Sequence, residues 1–219
     1  MKRILSGVSG AIFGLYLIAG AAVAAPITID FTGAVDFFNP GPFTREVALQ
    51  GQITLDDTVI PSGPNNTFDN VITGFSLTIS EPGGDITYTN SGAGGRVNQF
   101  TSADGSTEFV SVAFGGSAGG AFNIPLGAPL LTSFSIGFRG TDLFGDPTEL
   151  ATGLTEADFS FSRADFNFNN NGTNQLMVER VLDTVTFSGE RQTVAVHAPG
   201  ASLLFALGLA GLWARRRRV

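Results

Sequence analysis

The sequence has no cysteine and only one histidine, His197, in 219 residues. Without cysteine the chain forms no disulfide and offers no thiol nucleophile or thiolate metal ligand, so its folded part must be held by packing alone. A single histidine near the C-terminus excludes Ser-His-Asp triads, multi-histidine zinc sites and facial-triad iron sites from the central part of the chain. Few routes to catalysis are left.

Basic residues are also scarce, and they are unevenly placed. The chain has 12 of them against 19 acidic residues, and six of the 12 lie at the two ends. The central residues 25–193 therefore carry six basic residues against all 19 acidic ones, a net charge of −13. Because such a surface repels phosphate backbones, we expect no nucleic-acid partner.

The N-terminal segment, residues 1–24, has the pattern of a secretory signal peptide. A basic start at Lys2 and Arg3 precedes an apolar run, and the small residues Ala22 and Ala24 form an A-x-A cleavage site. This pattern predicts export and cleavage by signal peptidase after Ala24. An uncleaved membrane anchor is the alternative.

The C-terminal segment, residues 194–219, is apolar from Pro199 until a final arginine cluster. As a helix, the apolar run would rise about 22–24 Å, somewhat short of a bilayer core of roughly 30 Å, and arginine snorkelling can cover the difference. The positive-inside rule keeps the cluster cytoplasmic and the central part outside the inner membrane. A plain C-terminal membrane anchor is one interpretation.

The same segment resembles the PEP-CTERM sorting signal of Gram-negative bacteria. Val196 and Pro199 match its short motif, in which His197 and Ala198 replace the usual proline and glutamate, and a Gly/Leu-rich helix follows. The closing cluster consists of Arg215, Arg216, Arg217 and Arg218. The resemblance covers about 24 residues. It implies recognition by an exosortase-like processing enzyme, transient anchoring in the inner membrane, and a final place at the cell surface or in an exopolysaccharide or biofilm matrix.

The central residues 25–193 read as short strands separated by turn clusters. Apolar and polar residues alternate, as in the segment from Ile27 to Gly33, and loops such as Pro61–Asn66 are rich in Pro, Gly and Asn. No helical period of useful length appears, beyond one turn at residues 155–158. We expect an all-β body, an antiparallel β-sandwich or jelly roll, flanked by an N-terminal and a C-terminal helix.

Phenylalanine dominates the aromatic residues, with 20 against two tyrosines and one tryptophan. Many of them recur at every second position in four stripes: Phe75-x-Leu77-x-Ile79, Phe134-x-Ile136-x-Phe138, Phe159-x-Phe161 and Phe166-x-Phe168. Such stripes fit a core between two facing sheets. The alternative is a sugar-stacking platform, but these favour tryptophan and tyrosine with their polar edges. Core packing is the favoured interpretation.

The acidic residues supply the only candidate site in the body. Carboxylates and loop carbonyls are calcium ligands, and extracellular calcium sites are often weak. The candidates are Asp56, Asp57, Asp142 and Asp146. The same residues could form the carboxylate pair of a glycoside hydrolase, but acids beside Gly and Pro are more often turn formers. We expect no catalytic residue and no cofactor other than calcium.

The sequence thus predicts a non-catalytic, exosortase-sorted protein of the cell surface or matrix, associated with extracellular polysaccharide. Two other functions stay open. One is a glycan- or calcium-binding module anchored at the membrane, and the other is a glycoside hydrolase.

Overall fold

The computed structural model describes residues 25–37, 43, 47–63, 66–170, 173–179 and 182–189. This part of the chain is mostly β, with two single turns of 3-10 helix at Gly116–Ala118 and Glu156–Asp158. The strands are β1 (Ile27–Phe37), β2 (Val47–Leu55), β3 (Thr67–Glu81), β4 (Gly84–Asn90), β5 (Gly94–Thr101), β6 (Glu108–Gly115), β7 (Phe122–Asn123), β8 (Leu130–Gly140), β9 (Phe159–Asn170), β10 (Thr173–Glu179) and β11 (Thr184–Phe187). The all-β prediction is confirmed, whereas both expected terminal helices lie outside the described residues.

The strands form one antiparallel sheet that curls into a half-barrel. We call β11-β1-β2-β3-β4 the first half of the sheet and β10-β9-β8-β6-β5 the second half. Two long strands join the halves. The beginning of β1 pairs with β11 and its end with β10, while the beginning of β3 pairs with β5 and its end with β4. Each long strand therefore passes from one half into the other.

The two halves face each other across a phenylalanine-rich core. The Phe75 ring on β3 stacks 4.4 Å from Phe134 on β8 and 6.3 Å from Phe114 on β6. At the other end, Phe138 on β8 contacts Phe187 on β11 edge to face at 5.2 Å. The stripes beginning at Phe75, Phe134 and Phe166 are buried along their length, which confirms the core interpretation for these three.

Gly51 shows how closely this core is packed. The sequence suggests an interruption of the strand there, but β2 runs through it without a break and pairs with β1 and β3 at that position. A Cβ on Gly51 would lie 2.1 Å from the tip of the Phe31 ring, which is 1% exposed. The glycine therefore makes room for a core aromatic ring.

A single helical turn at Glu156–Asp158 confirms the turn predicted there. It is closed by a capping box, in which the backbone N–H of Thr155 donates to the Asp158 carboxylate at 2.9 Å.

None of the helices in the described ranges has the length and apolar character that a membrane crossing requires.

Candidate functional site

The outer face of the second half carries a row of aromatic side chains around one arginine. Strand register places Phe100 on β5 opposite Phe109 on β6, Phe109 opposite Arg139 on β8, and Arg139 opposite Phe161 on β9. Side chains directly opposite one another on one face lie about 4.5–5.5 Å apart at Cβ. We call these four residues, which cross four strands, the aromatic row.

The rings of the aromatic row are open to solvent, unlike those of the core. Phe100 is 39% exposed and Phe161 is 46% exposed, while Phe109 is half-buried. The Phe100 and Phe109 rings stack face to face at 4.7 Å with an interplanar angle of 10°. Single exposed apolar side chains are common at protein surfaces, but contiguous patches of them are not. Such patches often mark binding sites.

A β-bulge brings Phe161 into this row. The register between β8 and β9 shifts at Arg139/Gly140, so that Phe161 pairs with Arg139 while Phe159 pairs with Gly140. Phe159 then packs against the core, 4.8 Å from Phe138, and Phe161 turns outward. The prediction that Phe159 and Phe161 share a core face is therefore wrong for Phe161, because an extra residue in the bulge reverses which face the side chain takes.

Gly137 forms the floor of a shallow groove beside the row. It lies on the outer face of β8, opposite Ser111 on β6 and Arg163 on β9, and a Cβ placed on it would meet no atom within 4 Å. The groove has a volume of about 280 Å³ and is walled by the rings of Phe109 and Phe161. This volume is close to the lower end of the range for small-molecule sites.

The charged residues next to the groove are mostly paired. Arg163 binds the Asp165 carboxylate at 2.8–3.0 Å, and this hydrogen-bonded ion pair raises the pKa of the guanidinium. Arg96, two rows away on the same face, binds Asp69 at 2.8 Å. In contrast, Arg139 makes no ion pair within the described part of the chain and is exposed at the centre of the aromatic row.

Two sets of long-range hydrogen bonds tie down the strands that carry the row. Gln99 is fully buried next to Phe100; its amide donates to the Glu149 carbonyl at 2.7 Å, and its carbonyl accepts from the Ala151 N–H at 2.7 Å. At the start of β6, the Glu108 carboxylate accepts from the Leu143 N–H at 2.5 Å. These bonds tie β5 and β6 to the segment that follows β8 and so position the row.

Two of the four aspartates proposed as calcium ligands, Asp56 and Asp146, form hydrogen bonds within turns. The Asp56 carboxylate accepts from the N–H and hydroxyl of Thr58 at 2.9 and 2.6 Å, and Asp146 accepts from Thr148 in the same way at 2.8 and 2.7 Å. These hydrogen bonds lower the pKa of both aspartates. Asp57 lies at the edge of a separate cleft, and Asp142 has a left-handed backbone with φ 54°. In the described ranges no three acidic or histidine side chains converge into a group that could hold a metal ion.

The outer face of the first half is polar and its side chains bind one another. The hydroxyls of Thr32 and Thr184 lie 2.8 Å apart across β1 and β11, and those of Thr78 and Thr87 lie 2.9 Å apart across β3 and β4. Between them the Gln52 amide on β2 donates to the Asp30 carboxylate at 2.8 Å. We call this surface, built on β11, β1, β2, β3 and β4, the threonine face.

The residues predicted for export and sorting lie outside the described residues. These are Ala22, Ala24, Val196, Pro199, Arg215, Arg216, Arg217 and Arg218.

The aromatic row is a candidate site that the sequence alone does not predict. Part of the row could have been predicted from Phe100 and Phe109. Two aromatic residues at matched distances on either side of one hairpin loop meet on the same face of the sheet.

Comparison of the chain with known protein families, with curated proteins and with solved structures finds no match.

Proposed function

We propose that this protein is a non-catalytic polysaccharide-binding protein of the cell surface or extracellular matrix, and that the aromatic row is its binding site. The observation that carries the proposal is the set of rings around Gly137: those of Phe100 and Phe161 are exposed, and that of Phe109 is half-buried. They form a solvent-open apolar surface on a rigid sheet with no side chain of the described residues covering it.

A sugar fits this surface because it needs both apolar and polar contacts. The C–H face of a pyranose ring packs on an aromatic ring, while its hydroxyls need hydrogen-bond partners at the rim. Phenylalanine has no polar edge and the groove lining is almost wholly apolar, so the polar partner that we propose is the exposed Arg139 side chain beside the groove.

Binding at this groove is favoured over cleavage. Hydrolysis of a glycosidic bond needs two carboxyl groups that flank the bond, one as an acid and one as a base or nucleophile. The described residues that line the groove include no aspartate or glutamate. We therefore assign the groove to polysaccharide retention.

The export and sorting part of the proposal rests on the two ends of the sequence. Signal peptidase would remove residues 1–24, and an exosortase-like enzyme would process the tail at residues 194–219 after it has anchored the chain in the inner membrane. Fractionation of cells lacking the exosortase tests this: full-length chain should stay with the membrane there, and a shortened chain should leave it in the parent strain. An identical distribution and size in both strains would contradict it.

For the body we propose an antiparallel β-sandwich or a jelly roll, both of which are built from two facing layers of strands. The support comes from the ring contacts of Phe75 with Phe134 and of Phe138 with Phe187, which join the two halves of the curled sheet face to face.

The binding proposal is tested with immobilised polysaccharides, including gellan and dextran, and the full chain in a mild detergent. Replacement of Phe161 by Ala removes an exposed ring, so affinity for the bound polymer should fall about tenfold while the unfolding midpoint changes little. Biolayer interferometry gives the affinity, and thermal unfolding monitors the fold.

The matched control is Leu126→Ala, which truncates a fully exposed apolar side chain that does not line the groove. It should bind as the parent chain does. Equal affinity of the Phe161→Ala and parent chains, or no binding of the parent chain to any of the polymers, would overturn the proposed function.

A further inference from the structure

The arginine at the centre of the aromatic row lacks the carboxylate partner that its neighbours have. Three arginines of the described residues lie on the outer face of the second half: Arg96, Arg139 and Arg163. Arg96 and Arg163 each bind a carboxylate of the same face at 2.8 Å, from Asp69 and Asp165 respectively. Arg139 has no such ion pair within the described ranges, although the central part of the chain has more than three acidic residues for every basic one.

We propose that the groove recognises a uronic acid within a polysaccharide, and that Arg139 binds its carboxylate. This inference rests on the proposed function and adds the chemical class of the ligand. An exposed guanidinium is a planar fork of N–H donors that matches a carboxylate in a two-bond geometry, and this pair is stronger than a neutral hydrogen bond.

The geometry of the row allows one sugar to use both kinds of contact. Arg139 lies between Phe109 and Phe161, its register partners on β6 and β9. Neighbouring strands are about 4.8 Å apart, so a pyranose ring stacked on either phenylalanine lies beside the Arg139 side chain, which is long enough for its guanidinium to reach a ring substituent. A carboxylate on that ring is then within reach of Arg139 while the sugar stays over the groove that Gly137 leaves open.

The charge of the body limits how dense the carboxylates of the ligand can be. Residues 25–193 carry a net charge of −13, which repels a continuous polyanion. At physiological salt this repulsion is screened beyond about 8 Å, whereas a direct contact with Arg139 is not. The ligand class that satisfies both conditions is a polysaccharide in which isolated uronic acids are separated by neutral sugars.

Gellan is a suitable probe, because its repeat carries one uronic acid among neutral sugars. Chemical reduction of that carboxyl group gives a neutral polymer with the same backbone, so the pair differs only in charge. We expect the full chain to bind gellan about tenfold more tightly than carboxyl-reduced gellan in biolayer interferometry. The Arg139→Gln variant should bind the two polymers equally, at the level of the parent chain on the reduced polymer.

The matched control is Arg96→Gln, which removes the same charge from the same face but from an arginine that already has a partner. It should retain the preference for gellan. Equal binding of both polymers by the parent chain, with loss on Phe161→Ala, would overturn the uronic acid inference and leave the proposed function standing. A preference that survives in Arg139→Gln or disappears in Arg96→Gln would also overturn the inference, as would binding of dextran alone. No binding of gellan, reduced gellan or dextran would overturn both proposals.

Discussion

The two halves of the sheet present chemically different surfaces to solvent, although the strands of both halves alternate apolar and polar residues. On the threonine face the polar side chains bind one another, as Thr32 does with Thr184 and Asp30 with Gln52. On the second half, the aromatic row leaves Phe161 and the Arg139 guanidinium open to solvent. Several side chains of the first surface bind one another, whereas the second surface has an exposed ring and an arginine without an ion pair in the described residues.

This difference between the two surfaces bears on which of them can bind a ligand. A polar surface whose side chains bind each other loses those bonds when a ligand competes for them. Exposed rings have no such bonds to lose, and covering them removes apolar area from water. The second half of the sheet, which carries the aromatic row, is therefore the better candidate for ligand binding.

The largest expected effect is on the free energy of unfolding, and it comes from two glycines in the middle of strands. One faces the core and the other faces solvent. Gly51 faces the core beneath the threonine face, and Gly137 faces solvent in the groove. Gly51→Ala should destabilise the protein by about 1–3 kcal/mol, because its methyl group would displace the buried Phe31 ring. Gly137→Ala should instead stabilise it by roughly 0.5–1 kcal/mol, since a strand glycine is replaced without a clash.

Urea unfolding of both variants measures these free energies. The pair serves as its own control, because the same methyl group is added to a strand in each case. If the two substitutions had the same sign and size, the assignment of Gly51 to the packed side and Gly137 to the open side would be wrong.

A smaller effect concerns acid sensitivity of the turn between β5 and β6, next to the aromatic row. The Asp104 carboxylate accepts hydrogen bonds from the Ser102 hydroxyl at 2.5 Å and the Ser106 N–H at 3.0 Å, which lower its pKa from 3.8 to about 2. A carboxyl group whose pKa is lowered by folding stabilises the native state above its unfolded pKa. This contribution should be lost as the pH falls from about 3.8 towards 2.

The measurement is the thermal unfolding midpoint across that pH range for the parent chain and Asp104→Asn. The difference between the two should be largest above pH 4 and shrink on acidification. A difference that stays constant with pH, or grows as the pH falls, would show that the carboxylate is not held by this turn.

Much of the fold could be predicted from the period of the sequence. Strands such as β2 and β8 alternate apolar and polar residues, and the turn clusters between strands contain the expected Gly, Pro and Asn. In contrast, the sequence of β5 does not alternate clearly between apolar and polar residues. Its pattern is broken by Gln99, which is buried where an apolar residue is expected because its amide binds the backbone of Glu149 and Ala151. Such long-range hydrogen bonds leave no local signal.

The candidate site was less predictable than the fold. Phe161 appears in the sequence as one more member of an alternating stripe, and the β-bulge that turns it outward depends on how β9 pairs with β8. Arg139 and Phe100 line the same groove only because of the register of three strands, β5, β6 and β8. Strand register is set by tertiary packing, so the aromatic row as a whole has no local signal in the sequence.

The central claim, that the second half of the sheet binds polysaccharide and the first half does not, is tested most directly by amide chemical-shift mapping with gellan oligosaccharides. The account predicts concentration-dependent shifts at Phe109, Gly137 and Phe161, and none on the threonine face at Thr32, Gln52 or Thr78. Shifts confined to the threonine face, or spread equally over both faces, would contradict it.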